Sequence, residues 1–200
     1  MAADRSQPRA LQAPLPVGGA GGVAPGRIGM TIFLASDLMG FGGLLLAYAV
    51  LRVRAPVWPE PALRFDRTLA GVLTLLLLAS SGTMNAAVGA ARGGRTSVRR
   101  WLAATVALGA AFLVGQAIEF DSLATTRHVG LASDHAASTF YVIAGFHGLH
   151  VAAGILALLG VARRGARESI EVAALYWQFV DLVWIVIFTV VYLIPVVPRG

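Results

Sequence analysis

The chain has no cysteine and no lysine, and only 13% of its 200 residues are charged. Without cysteine, disulfides, iron–sulfur clusters, thiolate metal sites and a cysteine nucleophile are excluded, while the compartment stays open. Without lysine, all 16 basic side chains are arginine. They stand between apolar blocks, so they read as topology determinants and not as a nucleic-acid surface. A soluble domain carries about a quarter charged residues. This chain is 57% hydrophobic with a mean hydropathy of +0.74. A globule of 20.9 kDa cannot hide that much apolar surface, because surface grows too fast relative to volume at this size. An ordinary soluble protein is excluded, and a membrane protein is expected.

Five long apolar blocks are present. Ile28–Leu51 carries one charge, Asp37, and Val172–Pro198 carries one, Asp181. Thr68–Ala91 and Trp101–Ile118 carry none, and His135–Ala162 has no Asp, Glu or Arg. Crossing a hydrocarbon core of about 30 Å takes roughly 20 helical residues. The blocks are too long for barrel strands, which need about ten alternating residues. The expected fold is all-α, with five transmembrane helices near residues 28–53, 68–92, 99–120, 135–162 and 171–196 in one domain, 28–198. Residues 1–27 are Pro/Gly/Ala-rich, lack the apolar run of a signal peptide, and read as an extended or disordered arm.

Arginine placement sets the orientation. With the N-terminus inside, Arg5, Arg9, Arg27, Arg92, Arg95, Arg99, Arg100, Arg163, Arg164 and Arg167 face the cytoplasm, the majority of the 16. The C-terminus then lies outside, periplasmic or extracellular. Small residues recur at four-residue spacing, as Ala144, Gly148 and Ala152, and as Ala79, Thr83, Ala87 and Ala91. Such stripes let helix backbones approach closely. No internal repeat is evident, and an odd helix count argues against an inverted-repeat transporter.

Ionisable residues inside a membrane are costly and need partners. Asp37 and Asp181 lie about nine and ten residues from the inner starts of their blocks, roughly 13 Å deep at 1.5 Å per residue. His147 and His150 enter from the other side and reach the membrane middle. These groups can share a layer, and a carboxyl–imidazole hydrogen bond from Asp37 to one histidine is predicted. Two readings stand: a proton-responsive or lipid-binding cluster, or a structural hydrogen-bond network. Two histidines at i and i+3 invite a metal, but the helices supply no third ligand. Hydrogen bonds from both histidines to neighbouring helices or a bound lipid are the stronger expectation. Gln116 and Glu119 share a face near the outer surface, where Glu119 reads as interfacial and solvated or as one more buried polar group. Ser81 and Asn85 read as interhelical glue. Trp58, Trp101, Trp177, Trp184, Tyr176 and Tyr192 read as an interfacial aromatic belt. No Ser/His/Asp arrangement, phosphate loop or paired carboxylate points to a self-contained enzyme.

Several stretches together resemble subunit III of the haem–copper oxidases, the cytochrome c oxidase family. The most specific is STFYVIAGFHGLHVAAG, Ser138–Gly154, followed by YWQFVDLVWIVIF, Tyr176–Phe188. Weaker matches are Phe33–Gly43, Leu75–Ala87, Phe112–Phe120 and the WPEP at Trp58–Pro61. The matches run in order over about residues 28–195, one per helix. The resemblance implies a five-helix form in two groups, split by a V-shaped cleft that holds phospholipid. It implies a subunit with no cofactor of its own, bound beside subunit I and with subunit II, where the haem and copper reside. Membership in a cytochrome bc-type supercomplex is a further implied association. Subunit I would reduce oxygen and pump protons; this chain would stabilise it and sustain proton uptake in a bacterial plasma membrane. The family has a carbodiimide-reactive acid, usually Glu, where this chain has Asp37, and usually His where it has Gln178. Arginines at the inner rim, Arg92, Arg95, Arg99, Arg163 and Arg164 among them, would meet lipid phosphates. Third subunits of quinol oxidases and nitric oxide reductases are similar. A free-standing ion carrier lined by Asp37 and Asp181 is the reading from another class.

Overall fold

The computed structural model describes residues 25–55, 58, 65–164 and 166–194, with the side chain of Arg164 outside that set. Within it are five helices: α1 Pro25–Arg54, α2 Arg67–Arg92, α3 Val98–Thr125, α4 His135–Arg164 and α5 Arg167–Phe188, the last ending in a π turn, Thr189–Leu193. Each is long and apolar enough to cross a membrane, and no strand occurs among the described residues. The fold is an all-α membrane bundle. Residues 1–24 of the expected arm lie outside the described residues, and its last three, Pro25–Arg27, belong to α1. Proline suits that start, since a first-turn N–H has no intrahelical partner to lose. α3 runs to Thr125, five residues past the expected end, and α5 begins four residues early at Arg167.

α2, α3, α4 and α5 close a ring in which each packs on its two neighbours, and α1 lies outside against α4 and α5. The helices thus divide as four plus one. At the end carrying Arg92, Arg95 and Arg167, here the basic end, Gly94 sits at φ +62°. The Arg95 N–H reaches the Ala90 carbonyl at 2.9 Å and the Gly94 N–H the Ala91 carbonyl at 3.4 Å. This is a Schellman stop, and glycine takes the left-handed position without steric cost. At the opposite end the Asp66 carboxylate accepts from the Thr68 and Leu69 N–H groups, both at 3.0 Å. Such a cap contributes roughly 1 kcal/mol to α2.

Trp177 fills the centre of the ring and is 1% exposed. A Cβ built on Gly109 of α3 would lie 2.6 Å from the Trp177 ring, and one on Gly154 of α4 would lie 3.0 Å from it. Two glycines therefore clamp one indole between α3 and α4. The Trp177 ring N–H donates to Ser80 Oγ at 2.9 Å, and that of Trp184 to Thr74 Oγ1 at 3.0 Å. The belt expectation fails for Trp177, Trp184, Tyr176 and Tyr192, all of which are buried. A protein hydroxyl for each indole, Ser80 buried and Thr74 half-buried, replaces the wet interface that would otherwise receive it.

Candidate functional site

Four polar arrangements occupy the interior, and the expected common layer resolves into separate pairs. The first joins α1 to α4. His150 Nε2 lies 3.1 Å from Asp37 Oδ1, and His150 Nδ1 lies 2.8 Å from the Phe146 carbonyl. A carbonyl only accepts, so Nδ1 carries a proton. One further proton then lies between Nε2 and Oδ1, whichever atom holds it. Both side chains are largely enclosed, His150 at 14% and Asp37 at 11% exposure. Phe41 and Phe146 cover the imidazole, each edge-on, with ring centroids at 5.0 and 4.6 Å. Tyr176 adds a bond from its hydroxyl to the His150 carbonyl at 3.0 Å. Asp37 Oδ2 is buried without a hydrogen-bond partner among the described residues.

The second pair joins α2 to α5, where the Ser81 hydroxyl donates to Asp181 Oδ2. Asp181 meets neither histidine, so it forms a site apart from Asp37. One turn nearer the basic end, Gln178 Nε2 donates to Asn85 Oδ1 at 2.6 Å, on the exposed side of the same seam. Asn85 and Ser81 therefore do act between helices, each with an α5 partner.

The third arrangement surrounds His147, which is fully buried. Phe112, Trp184 and Phe41 enclose its ring at centroid distances of 5.6, 5.1 and 6.4 Å. Neither ring nitrogen has a hydrogen-bond partner among the described residues. The expectation of a bond from His147 to a neighbouring helix is corrected: its surroundings are aromatic, with Phe41 of α1 among them, and of the two histidines only His150 meets a polar group of α1, Asp37. Beside it, Gln116 Nε2 donates to the Ala144 carbonyl at 2.6 Å. Gly148 makes room for that amide, since a Cβ there would stand 2.8 Å from Gln116 Oε1.

The fourth lies toward the opposite end. Glu119 is 2% exposed, and the Tyr192 hydroxyl lies 2.9 and 3.0 Å from its two oxygens. The solvated reading of Glu119 is thus corrected. Tyr192 comes from the π turn, whose extra residue per turn shifts its register. An aromatic near a chain end carried no signal of this in the sequence beyond its hydroxyl.

Among the grooves at the basic end, two bear on the site. One, of about 590 Å³, lies between α1 and the α4–α5 pair. Met30 and Phe33, Ala153 and Ala157, and Val172 and Tyr176 form its walls, with Glu168 at its rim. Asp37 follows Phe33 by one turn and His150 precedes Ala153 by about one, so this apolar groove and the carboxyl–imidazole pair share one seam. The other, of about 350 Å³, has Arg95, Arg99 and Arg167 on its walls. Arg92 and Arg167 both bind Glu171 Oε1, at 2.9 and 3.3 Å. Arg92 and Arg167 thus hold one carboxylate between α2 and α5. Arg163 is exposed on α4, while the Arg164 side chain lies outside the described residues. No group of three or more His, Cys, Asp or Glu that could hold a metal occurs among the described residues.

A family model described as cytochrome c oxidase subunit III matches residues 22–196. A protein of Thermostichus vulcanus named cytochrome c oxidase subunit 3 is 36% identical over 177 residues, covering 84% of this chain and 86% of that one. The protein of the same name from Synechocystis sp. is 38% identical, covering 83% of this chain and 74% of that one. One from Mycobacterium tuberculosis, named probable cytochrome c oxidase subunit 3, is 37% identical and covers 84% and 87%.

Proposed function

The chain belongs to the cytochrome c oxidase subunit III family, and from that membership we propose that it is the non-redox third subunit of a bacterial aerobic oxidase. In this reading it packs beside the catalytic subunit I, with subunit II in the same complex, and sustains proton delivery during oxygen reduction. The N-terminus faces the cytoplasm and the C-terminus the outside, as the arginine distribution favours. The names of the relatives favour cytochrome c over quinol as the donor.

The observation that carries the proton role is the Asp37–His150 pair. Its geometry leaves one transferable proton between two groups, and Asp37 stands near the middle of α1. Such a pair passes a proton by moving it between Oδ1 and Nε2, with no change in packing. The apolar groove beside it supports a phospholipid-holding role, because its volume lies in the range of ligand clefts, about 300–1,000 Å³. An acyl chain there would fill the seam between α1 and the ring. Asp181, Gln178 and Glu119 hold helices together in this account, with Ser81, Asn85 and Tyr192 as their partners.

The test compares the oxidase purified with and without this chain. Oxygen consumption is followed over many turnovers, with proton uptake recorded from the cytoplasmic side. The depleted enzyme is expected to start at a comparable rate and lose it progressively, with slowed uptake. Equal durability and equal uptake in the two preparations would contradict the role.

A further inference from the structure

We propose that the polar seam between α2 and α5 is a water-filled inlet open at the basic end, and that Asp181 at its inner end binds and releases a proton through it. The inlet is separate from the α1 groove and from the Asp37–His150 pair. It rests on the chain's placement in a membrane and not on the oxidase role.

The seam is polar from its outer end to its middle. At the basic end Arg92 of α2 meets Glu171 of α5 at 2.9 Å. Seven residues inward on each helix, roughly 10 Å at 1.5 Å per residue, Gln178 Nε2 donates to Asn85 Oδ1 at 2.6 Å. One turn further in, the Ser81 hydroxyl donates to Asp181 Oδ2. A concavity of about 240 Å³ joins the first two levels, with Arg27, Arg92 and Glu171 at its outer end and Asn85 and Gln178 at its inner end. Most of its lining residues are polar or charged, unlike the apolar walls of the α1 groove. Asn85 and Gln178 are exposed although both lie well inside their spans. Their contact uses one donor and one acceptor, while two primary amides offer more of each. Hydrocarbon cannot meet that surplus, and water can. The concavity has room for several waters, each of which takes about 30 Å³ in the liquid.

Asp181 ends the line. It stands at the middle of the Arg167–Leu193 span and is 4% exposed. Its Oδ2 accepts from Ser81, and its buried Oδ1 has no hydrogen-bond partner among the described residues. An enclosed carboxyl with one oxygen unserved takes a proton there from the water of the inlet and returns it the same way. The Ser81 and Ser80 hydroxyls of α2 are the polar groups at this carboxyl, and among the described residues no charged group of α1, α2 or α4 acts on it. The charges of the seam, Arg27, Arg92 and Glu171, all stand at the outer end. Beyond joining α2 to α5, Asp181 is thus placed to exchange its proton with one side of the membrane only.

Because the chain has no cysteine, an introduced thiol reports on its own position. Single-cysteine variants are tested in membrane vesicles, with the chain in whatever complex it forms, by adding an impermeant cationic methanethiosulfonate to one face at a time. The reagent attacks the thiolate, which forms in water and not in hydrocarbon. Asn85→Cys and Gly89→Cys are expected to react from the face that modifies Arg163→Cys at the basic end, about tenfold or more faster than Leu182→Cys, where an exposed leucine stands beside Asp181 on α5. A Cβ at Gly89 meets nothing within 4 Å, so Gly89→Leu fills the inlet without a clash and should slow the modification of Asn85→Cys by a similar factor. Infrared spectra in heavy water read the proton itself. The carboxyl band that Asp181→Asn removes should appear as pH falls and shift on deuteration within the mixing time, and Gly89→Leu should delay that shift. A thermal unfolding curve matching wild type shows that each variant is folded. Equal modification of Asn85→Cys and Leu182→Cys, as lipid or a partner helix over the two amides would give, overturns the inlet, and so does modification from the opposite face. A band that appears at no pH, or that exchanges as fast in Gly89→Leu as in wild type, overturns proton binding through it. Because the readouts are labelling and exchange and not turnover, their failure is separate from any failure of the oxidase role.

Discussion

Replacing Asp37 with leucine is expected to unpair His150, while asparagine at the same position is expected to keep the helices together. The difference follows from proton placement. Nδ1 of His150 donates to the Phe146 carbonyl, so a neutral ring presents Nε2 as an acceptor. An asparagine amide donates to that nitrogen and preserves the link from α1 to α4. Leucine offers nothing, and an enclosed ring nitrogen without a partner costs on the order of 1–3 kcal/mol. The effect falls on α1, which packs on the ring chiefly through α4 and α5. Thermal unfolding in detergent should show Asp37→Leu destabilised and Asp37→Asn near wild type. The two variants should agree in chemistry. An apolar carbodiimide, which reacts with carboxyls in apolar surroundings, should modify wild type at residue 37 and leave both variants unlabelled there. Labelling that persists in Asp37→Asn at another residue, with residue 37 unmodified in wild type, would remove Asp37 from the account.

Gly109→Val is expected to destabilise the whole ring. The Trp177 indole lies where the new side chain must go, with the first added carbon 2.6 Å from a rigid ring atom. The indole has nowhere to retreat, because Gly154 on α4 admits its other edge at 3.0 Å. Moving it would also break its bond to Ser80 at 2.9 Å. Overpacking of this kind costs roughly 1–3 kcal/mol. Gly115→Ala is the contrasting case. The Cβ there would meet the end of the flexible Leu73 side chain, and a leucine can rotate away. Thermal melts should place Gly109→Val well below Gly115→Ala. Equal melts would mean that Trp177 does not fill the centre of the ring.

The helices were legible because membrane spans are written in composition: each needs a long uncharged run, and arginine marks the ends. The Asp37 pairing was legible for a related reason, since an acid and two histidines at similar depth leave few partners. Which histidine it meets was not, because that depends on how α4 is rotated about its axis. The rotation turns His150 to α1 and His147 into a cage of Phe112, Trp184 and Phe41. Asp181 shared a depth with Asp37 yet binds Ser81, because depth fixes only one of three coordinates. Trp177 was misread as a belt residue, although the two glycines that admit it, Gly109 and Gly154, were visible. Each lies far from it in sequence, and only the packed ring brings them to one indole. The Glu119–Tyr192 contact joins residues 73 apart and depends on a π turn that no residue pattern announced.

The central claim is that this chain works as one subunit of a larger haem- and copper-containing oxidase. The most direct measurement is a mild-detergent purification through a tag on this chain, with an optical spectrum and a metal count of the product. The account predicts reduced-minus-oxidised haem bands and copper in the product, together with a large multi-helix partner. Those signals should leave with the partner when harsher detergent strips it from this chain. Purification of the chain alone from mild detergent, or haem and copper that stay with it after stripping, would contradict the account.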